Sequence, residues 1–207
     1  MIIKAHESVD YQDFLTSDYR ELSVPADAYL KILRDQLDEP LQILDFGCGL
    51  GYVSLLLGEQ LKKNPQAHIY ACDYQEDLID LLWKRLVHHN LKNVTPFHIP
   101  DRSLVNFPKW IPGINHFFFS FSLSAVEDAF KVFNTIKSIL SETAVLHIFD
   151  WEHDANNEYL NKVFPKEDRL TAMILQQWLE LTGYKVTRTE SSKGKDYFYL
   201  EAELFAP

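Results

Sequence analysis

The sequence predicts a doubly wound α/β fold: a mostly parallel seven-stranded sheet that ends in a C-terminal antiparallel hairpin. Three observations predict it. From residue 41 onward, short apolar runs alternate with stretches of helical periodicity, the order that builds a parallel sheet with helices on both faces. A glycine-rich turn, ILDFGCGLGYVSLLL at 43–57, joins one buried run to the next. The last two strand-like runs are separated only by the polar link SSKGKD, short enough for a hairpin.

Taken in order, Pro25 starts an amphipathic helix over 26–37, since proline suits the first turn. Leu41 to Phe46 is a bounded apolar run that fits a strand buried on both faces, and Val53 to Leu61 continues as a helix that stops near Asn64 and Pro65. His68 to Cys72 is a second strand; Glu76 to Val87 follows as a helix with Leu78, Ile79, Leu82 and Leu86 on one stripe. Val94 to Ile99 is a third strand, which Pro96 assigns to an edge. Phe117 to Phe121 is the fourth strand, Asp128 to Leu140 a helix, and Ala144 to Phe149 the fifth strand. Leu170 to Leu181 reads as a helix with Thr171 near its start and Gly183 just past its end. Lys185 to Glu190 and Tyr197 to Leu204 form the hairpin. The whole reads as one domain over 1–207: a helical lid at 1–40, a ligand-binding core at 41–150, and a helix with the hairpin at 151–207.

Composition narrows the function. A chain of 207 residues buries about 70% of its unfolded surface. It carries 20 basic and 30 acidic residues, a formal charge of −10, which works against a phosphate backbone as partner. No apolar window approaches the roughly 18 residues of a membrane span, and no signal-like h-region opens the chain; a cytoplasmic protein is expected, with neither nucleic acid nor membrane as partner. Cys48 and Cys72 make no CxxC, and His88 and His89 are adjacent on a helix and point about 100° apart, so no metal is expected.

The glycines carry the chemistry. Dinucleotide binding asks for G-x-G-x-x-G. Counting from Gly47 and Gly49, the third position is Tyr52, and the run is G-x-G-x-G with Asp45 just before it. An acidic strand end suits a cationic ligand better than a pyrophosphate, so NAD(P)-dependent hydride transfer becomes an alternative of low rank. Asp73 lies 22 residues past Gly51, near the offset at which a carboxylate accepts from ribose hydroxyls.

These residues resemble the class I, seven-strand, Rossmann-like S-adenosylmethionine-dependent methyltransferases. DFGCGLGY at 45–52 is similar to their first motif, ACDYQEDLIDLL at 71–82 to the ribose-binding region, and HIPDRSLVNFP at 98–108 to the adenine-flanking region. FFFSFSLSAVEDAFKVFNTIKSIL at 117–140, VLHIFDWE at 145–152 and the final helix and hairpin continue the likeness. The resemblance implies S-adenosylmethionine as cofactor and S-adenosylhomocysteine as product. It places Asp45, Gly47 and Gly49 at the methionine part, Gly51 in the turn, Asp73 at the ribose, Tyr74 against the adenine, Asp101 and the Arg102 backbone at the adenine edge, and Ser120 beside the methyl donor. Ile114-Asn115 departs from the family's Phe-Asp, and Ser124-Ala125 replaces the paired polar residues of many members.

Methyl transfer from a sulfonium is an in-line displacement, and alignment alone is worth about 7–11 kcal/mol. A base is needed only for a protonated acceptor, so the absence of an obvious catalytic pair leaves a small-molecule methyltransferase as the first reading. A cofactor-binding protein with little or no turnover is the second. No residue in the sequence identifies itself as catalytic. Substrate contacts are expected from His6, Tyr11 and Tyr19 in the lid and from Trp151 and His153 after the fifth strand, although the aromatic residues fit ordinary packing equally well.

Overall fold

The computed structural model describes residues 24–100, 107–191 and 196–205. Seven strands form one sheet in the order β3-β2-β1-β4-β5-β7-β6. They are β1 (Gln42–Phe46), β2 (His68–Asp73), β3 (Val94–His98), β4 (Ile114–Ser120), β5 (Leu140–Trp151), β6 (Tyr184–Ser191) and β7 (Tyr197–Leu204). The first five strands pair in parallel, and β7 lies antiparallel between β5 and β6. The chain order reverses between β1 and β4, the kind of switch point beyond whose strand ends open α/β sheets bind ligands.

Two apolar layers sandwich the sheet. One face is covered by α1 (Ala26–Ile32), α2 (Tyr52–Gln60) and α3 (Glu76–His89), which contribute Tyr29, Val53, Leu57, Ile79, Leu82 and Leu86. Over the other lie α4 (Ala129–Ile136) and α6 (Ala172–Leu181), through Val132, Phe133, Ile136, Leu175 and Leu179. The α3 stripe is the one its periodicity predicts. Thr171 caps α6 by accepting from Ile174 N–H, and Gly183 follows with φ +82°. Pro96 stands on the edge strand β3.

The boundaries differ where tertiary contacts overrule periodicity. The expected helix over 26–37 breaks at Leu33 into a 3-10 turn, Arg34–Gln36, whose Gln36 side chain is drawn to His116. The helix expected to run to Leu140 ends at Ile136; after a 3-10 turn, Leu140 opens β5 because it pairs with Ile114 across the sheet. A short helix, α5 (Glu158–Val163), was not anticipated and is capped by Asn157. Among the described residues no helix is long and apolar enough to cross a membrane.

Asn115 explains one departure from the family pattern. Its Oδ1 accepts from Gln42 N–H at 2.9 Å, and its Nδ2 donates to the Pro40 carbonyl at 2.9 Å. An aspartate could make the first bond but has no proton for the second.

Candidate functional site

The glycine turn leaves β1 at the switch point and is held by backbone geometry that side chains disfavour. Gly47, Gly49 and Gly51 have φ of +66°, +54° and +80°, a region costly for residues with a Cβ. Two of them also make room for packing. A Cβ on Gly47 would lie 2.5 Å from Ser122 Cβ, and one on Gly51 would run into the Leu82 side chain of α3. Gly51 is thus fixed by helix packing, and its contribution to a ligand seat is indirect.

Asp73, at the end of β2, is tied to this turn. Its Oδ2 accepts from Gly49 N–H at 2.9 Å and its Oδ1 from Gln75 N–H at 2.9 Å. Burial pushes the carboxyl up, and the backbone N–H groups of Gln75, Gly49 and Tyr74 pull it back down. Cys48 N–H donates to the Cys72 carbonyl at 3.0 Å, a second link between turn and strand. Both thiols are free and buried, and burial first, with Asp45 and Asp73 adding to it, pushes them up; protonated, they are inert. Asp45 is buried and accepts from the Ser54 hydroxyl of α2 at 2.6 Å, which fastens the end of β1 to the first turn of the helix. Tyr74 is half-buried against the second apolar layer, and its carbonyl lies 3.0 Å from His98 Nε2.

Ser120 ends β4, and its hydroxyl shares a hydrogen bond with Tyr29 at 2.7 Å. Tyr29 is a completely buried residue of α1 whose ring meets Phe149 at 4.5 Å between centroids. The sequence does not mark it as a site residue, because a tyrosine on an amphipathic helix signals only burial. The next residue, Phe121, takes φ +58°, an outlier for a bulky side chain that costs on the order of 1–3 kcal/mol. Its ring stacks on Trp151, 4.0 Å between centroids.

Of the two expectations for Trp151, substrate contact and ordinary packing, that stack matches the second. Trp151 is fully buried between Phe121 and Phe164 and serves the core, because its place on β5 turns it toward the α1 face. His153 lies on the surface with its Nδ1 2.9 Å from Asp154. His6, Tyr11, Tyr19, Asp101 and Arg102 fall outside the described residues. The 3-10 turn Leu123–Ala125 holds Ser124 and Ala125 half-buried after β4. On β5, Asp150 is buried; Trp151 N–H donates to its Oδ1 at 2.8 Å, while its Oδ2 has no partner among the described residues. Burial holds this carboxyl up at about 7. Among the described residues no group of three or more His, Cys, Asp and Glu is placed to hold a metal ion.

The site therefore offers a carboxylate joined to a glycine turn, a half-buried aromatic beside it, and a small hydroxyl wall on β4. This donor set fits an adenosine ligand with an amino-acid tail. Comparison with known proteins agrees. A methyltransferase-domain family model matches residues 44–146, about half the chain. The malonyl-[acyl-carrier protein] O-methyltransferase of Bacillus cereus is 42% identical over 79 residues, covering 37% of this chain and 26% of that protein. The matched stretch thus spans about a quarter of that relative's length. In three dimensions, a SAM-dependent methyltransferase from Aquifex aeolicus superposes with a TM-score of 0.73 at 23% identity, over 89% of this chain and 96% of that one. The [4+2]-cyclase SpnF shares the fold with a TM-score of 0.70 at 14% identity, over 87% and 80%. By its motif order, sheet topology and matched domain, the chain belongs to the class I S-adenosylmethionine-dependent methyltransferases.

Proposed function

We propose that the chain binds S-adenosylmethionine at the β1–β4 switch and transfers its methyl group to a small-molecule acceptor. The observation that carries this reading is the 2.9 Å bond from Gly49 N–H to Asp73, which makes the glycine turn and the carboxylate one preformed unit. The cofactor, when bound, supplies a methyl carbon already activated by its sulfonium. Seating and alignment remain for the chain. An ionised carboxylate offers about four acceptor sites, so Asp73 keeps capacity for a ribose diol beyond its backbone partners. Tyr74 is the flank for the adenine, with Asp101 and Arg102 proposed at its edge. Gly47, Gly49 and Asp45 border the methionine part, and Ser120, held by Tyr29, walls the methyl donor.

Tyr29 also supports a lid at residues 1–40, because it brings α1 to the end of β4; His6, Tyr11 and Tyr19 are proposed acceptor contacts from the same lid, and His153 from the β5 side. A cytoplasmic location belongs to the same proposal, and cell fractionation checks it.

Calorimetry with S-adenosylmethionine and S-adenosylhomocysteine tests the core of the reading. Saturable binding of both is expected; no heat at millimolar ligand would overturn it. Acceptors follow, with radiolabelled methyl as readout, and a malonyl thioester on acyl-carrier protein belongs in the panel because the partial relative carries that name.

A second reading is cofactor binding without methyl turnover. It is favoured by Ser124-Ala125, which puts no ionisable group in the turn after β4, and by a shared fold with a protein described as a [4+2]-cyclase. Tight cofactor binding with no transfer across the panel supports it. Saturable NADH binding that S-adenosylmethionine fails to displace would instead favour hydride chemistry.

A further inference from the structure

The residue after the strained Phe121 is delivered to an unusual place. Ser122 sits against the first glycine of the turn: its Cβ lies 2.5 Å, and its Oγ 3.3 Å, from where a Gly47 side chain would begin. It is only 6% exposed, and its hydroxyl has no hydrogen-bond partner among the described residues. Buried polar groups are nearly always paired, so an orphan requires an explanation. A hydroxyl can rotate to donate to whatever arrives.

The topology says what arrives there. Asp73 and Gly49 form the β2 side of the turn, where the proposed reading seats a ribose. Ser122 and Gly47 lie at the other side, where β1 meets β4. A ligand with its nucleoside over β2 therefore extends its tail toward β4, and the tail of an adenosyl amino acid ends in an ammonium and a carboxylate. The left-handed turn at Phe121 is the device that carries the hydroxyl to that end. It throws the Phe121 ring onto Trp151 on one face and brings Ser122 back beneath the turn.

We infer that Ser122 is a cofactor-contact residue whose hydroxyl donates to the α-carboxylate of the bound adenosyl amino acid. The inference rests on the proposed cofactor reading and adds a residue to it.

The test compares Ser122→Ala with the unaltered chain on three ligands: S-adenosylhomocysteine, decarboxylated S-adenosylmethionine, which keeps the ammonium, and 5′-methylthioadenosine, which lacks the amino-acid tail. Hydrogen bonds to charged groups are strong enough that the substitution should weaken S-adenosylhomocysteine about tenfold or more, with the other two changed less than twofold. The urea midpoint of Ser122→Ala should equal or exceed that of the parent, since the hydroxyl it removes has no partner. An equal loss for all three ligands, no loss for any, or a loss shared by the decarboxylated ligand overturns the assignment. If the parent chain binds none of the three, it is the cofactor reading that fails.

Discussion

On the β1–β2 side of the sheet, Asp73 is held by the Gly49 N–H of a turn 24 residues away in sequence and by the local Gln75 N–H, and each carboxylate oxygen keeps room to accept more. Across β4, β5 and β7, a different polar system is buried. Gln36 Oε1 lies 3.1 Å from His116 Nε2, His116 Nδ1 lies 2.9 Å from His147 Nε2, His147 Nδ1 lies 2.9 Å from the Tyr199 hydroxyl, and that hydroxyl donates to Glu201 at 3.0 Å. Every ring atom that can bond is used within the protein. The first system is left open for a ligand; the second is closed on itself. Burial drives both histidines to the neutral form, His116 to about 4 and His147 well below its ordinary value. The lesson is that buried polarity marks a site only where bonding capacity is left over.

Breaking the turn should have the largest effect. Gly51→Ala combines a left-handed backbone with a clash against Leu82, together about 2–5 kcal/mol of lost stability by urea unfolding. Next is the closed system: His147→Ala takes one partner each from His116 Nδ1 and the Tyr199 hydroxyl and should cost about 2–4 kcal/mol, yet leave S-adenosylhomocysteine affinity within twofold. A large loss of affinity there would erase the distinction between the two regions. Asp73→Asn should do the reverse, lowering that affinity about 10- to 100-fold with the fold retained in circular dichroism.

Asp150 supplies a pH test. Its folded value of about 7 exceeds the ordinary 3.8, so the folded state holds its proton more firmly. That stability is complete below about pH 4 and is lost as pH rises through 7. The histidines act oppositely: their values are depressed, so their contribution is present above 6.5 and lost as pH falls, for His116 through about 4. Asp150→Asn should gain on the parent by about 1.4 kcal/mol per pH unit between 4 and 7, read from unfolding midpoints. A pH-independent difference would refute the buried-acid assignment.

The smallest expected signal is spectroscopic. Four contacts in the histidine system need four hydrogens, and two neutral imidazoles with one phenol supply three. Turning the Gln36 amide so that it donates to His116 supplies the fourth and makes both rings Nδ1–H tautomers. Nitrogen-15 chemical shifts of the two imidazoles check this directly.

Sequence legibility followed distance along the chain. Asp45, Gly47, Gly49, Gly51 and Asp73 fall within 29 positions, and a turn that short leaves its spacing in the text. His116 and His147 are 31 residues apart, His147 and Tyr199 52, and Gln36 and His116 80; each alone is an unremarkable residue, three of them in strands and Gln36 in a 3-10 turn. Ser122 was hidden for another reason. Within FSFSLS nothing singles it out, and only the positive φ of Phe121 puts its hydroxyl at the turn. Trp151 reads equally as a substrate contact or as packing, because a residue at a strand end faces either layer, and strand alternation, not proximity to the site, decides which. All seven strands are legible, the five parallel ones because strands buried on both faces leave continuous apolar runs, and the last two because a short polar link separates them.

The two outer strands of the sheet also bear on how the protein behaves when concentrated. On β3, Pro96 removes a donor from the rim that a neighbouring chain would have to bond. On β6, Lys185, Arg188 and Glu190 stand exposed along the opposite rim. Neither rim is a clean template for strand addition, and charged or proline-bearing rims are how sheets resist aggregation. A seven-stranded sheet with two open rims is thereby guarded against strand exchange and fibre growth at both ends.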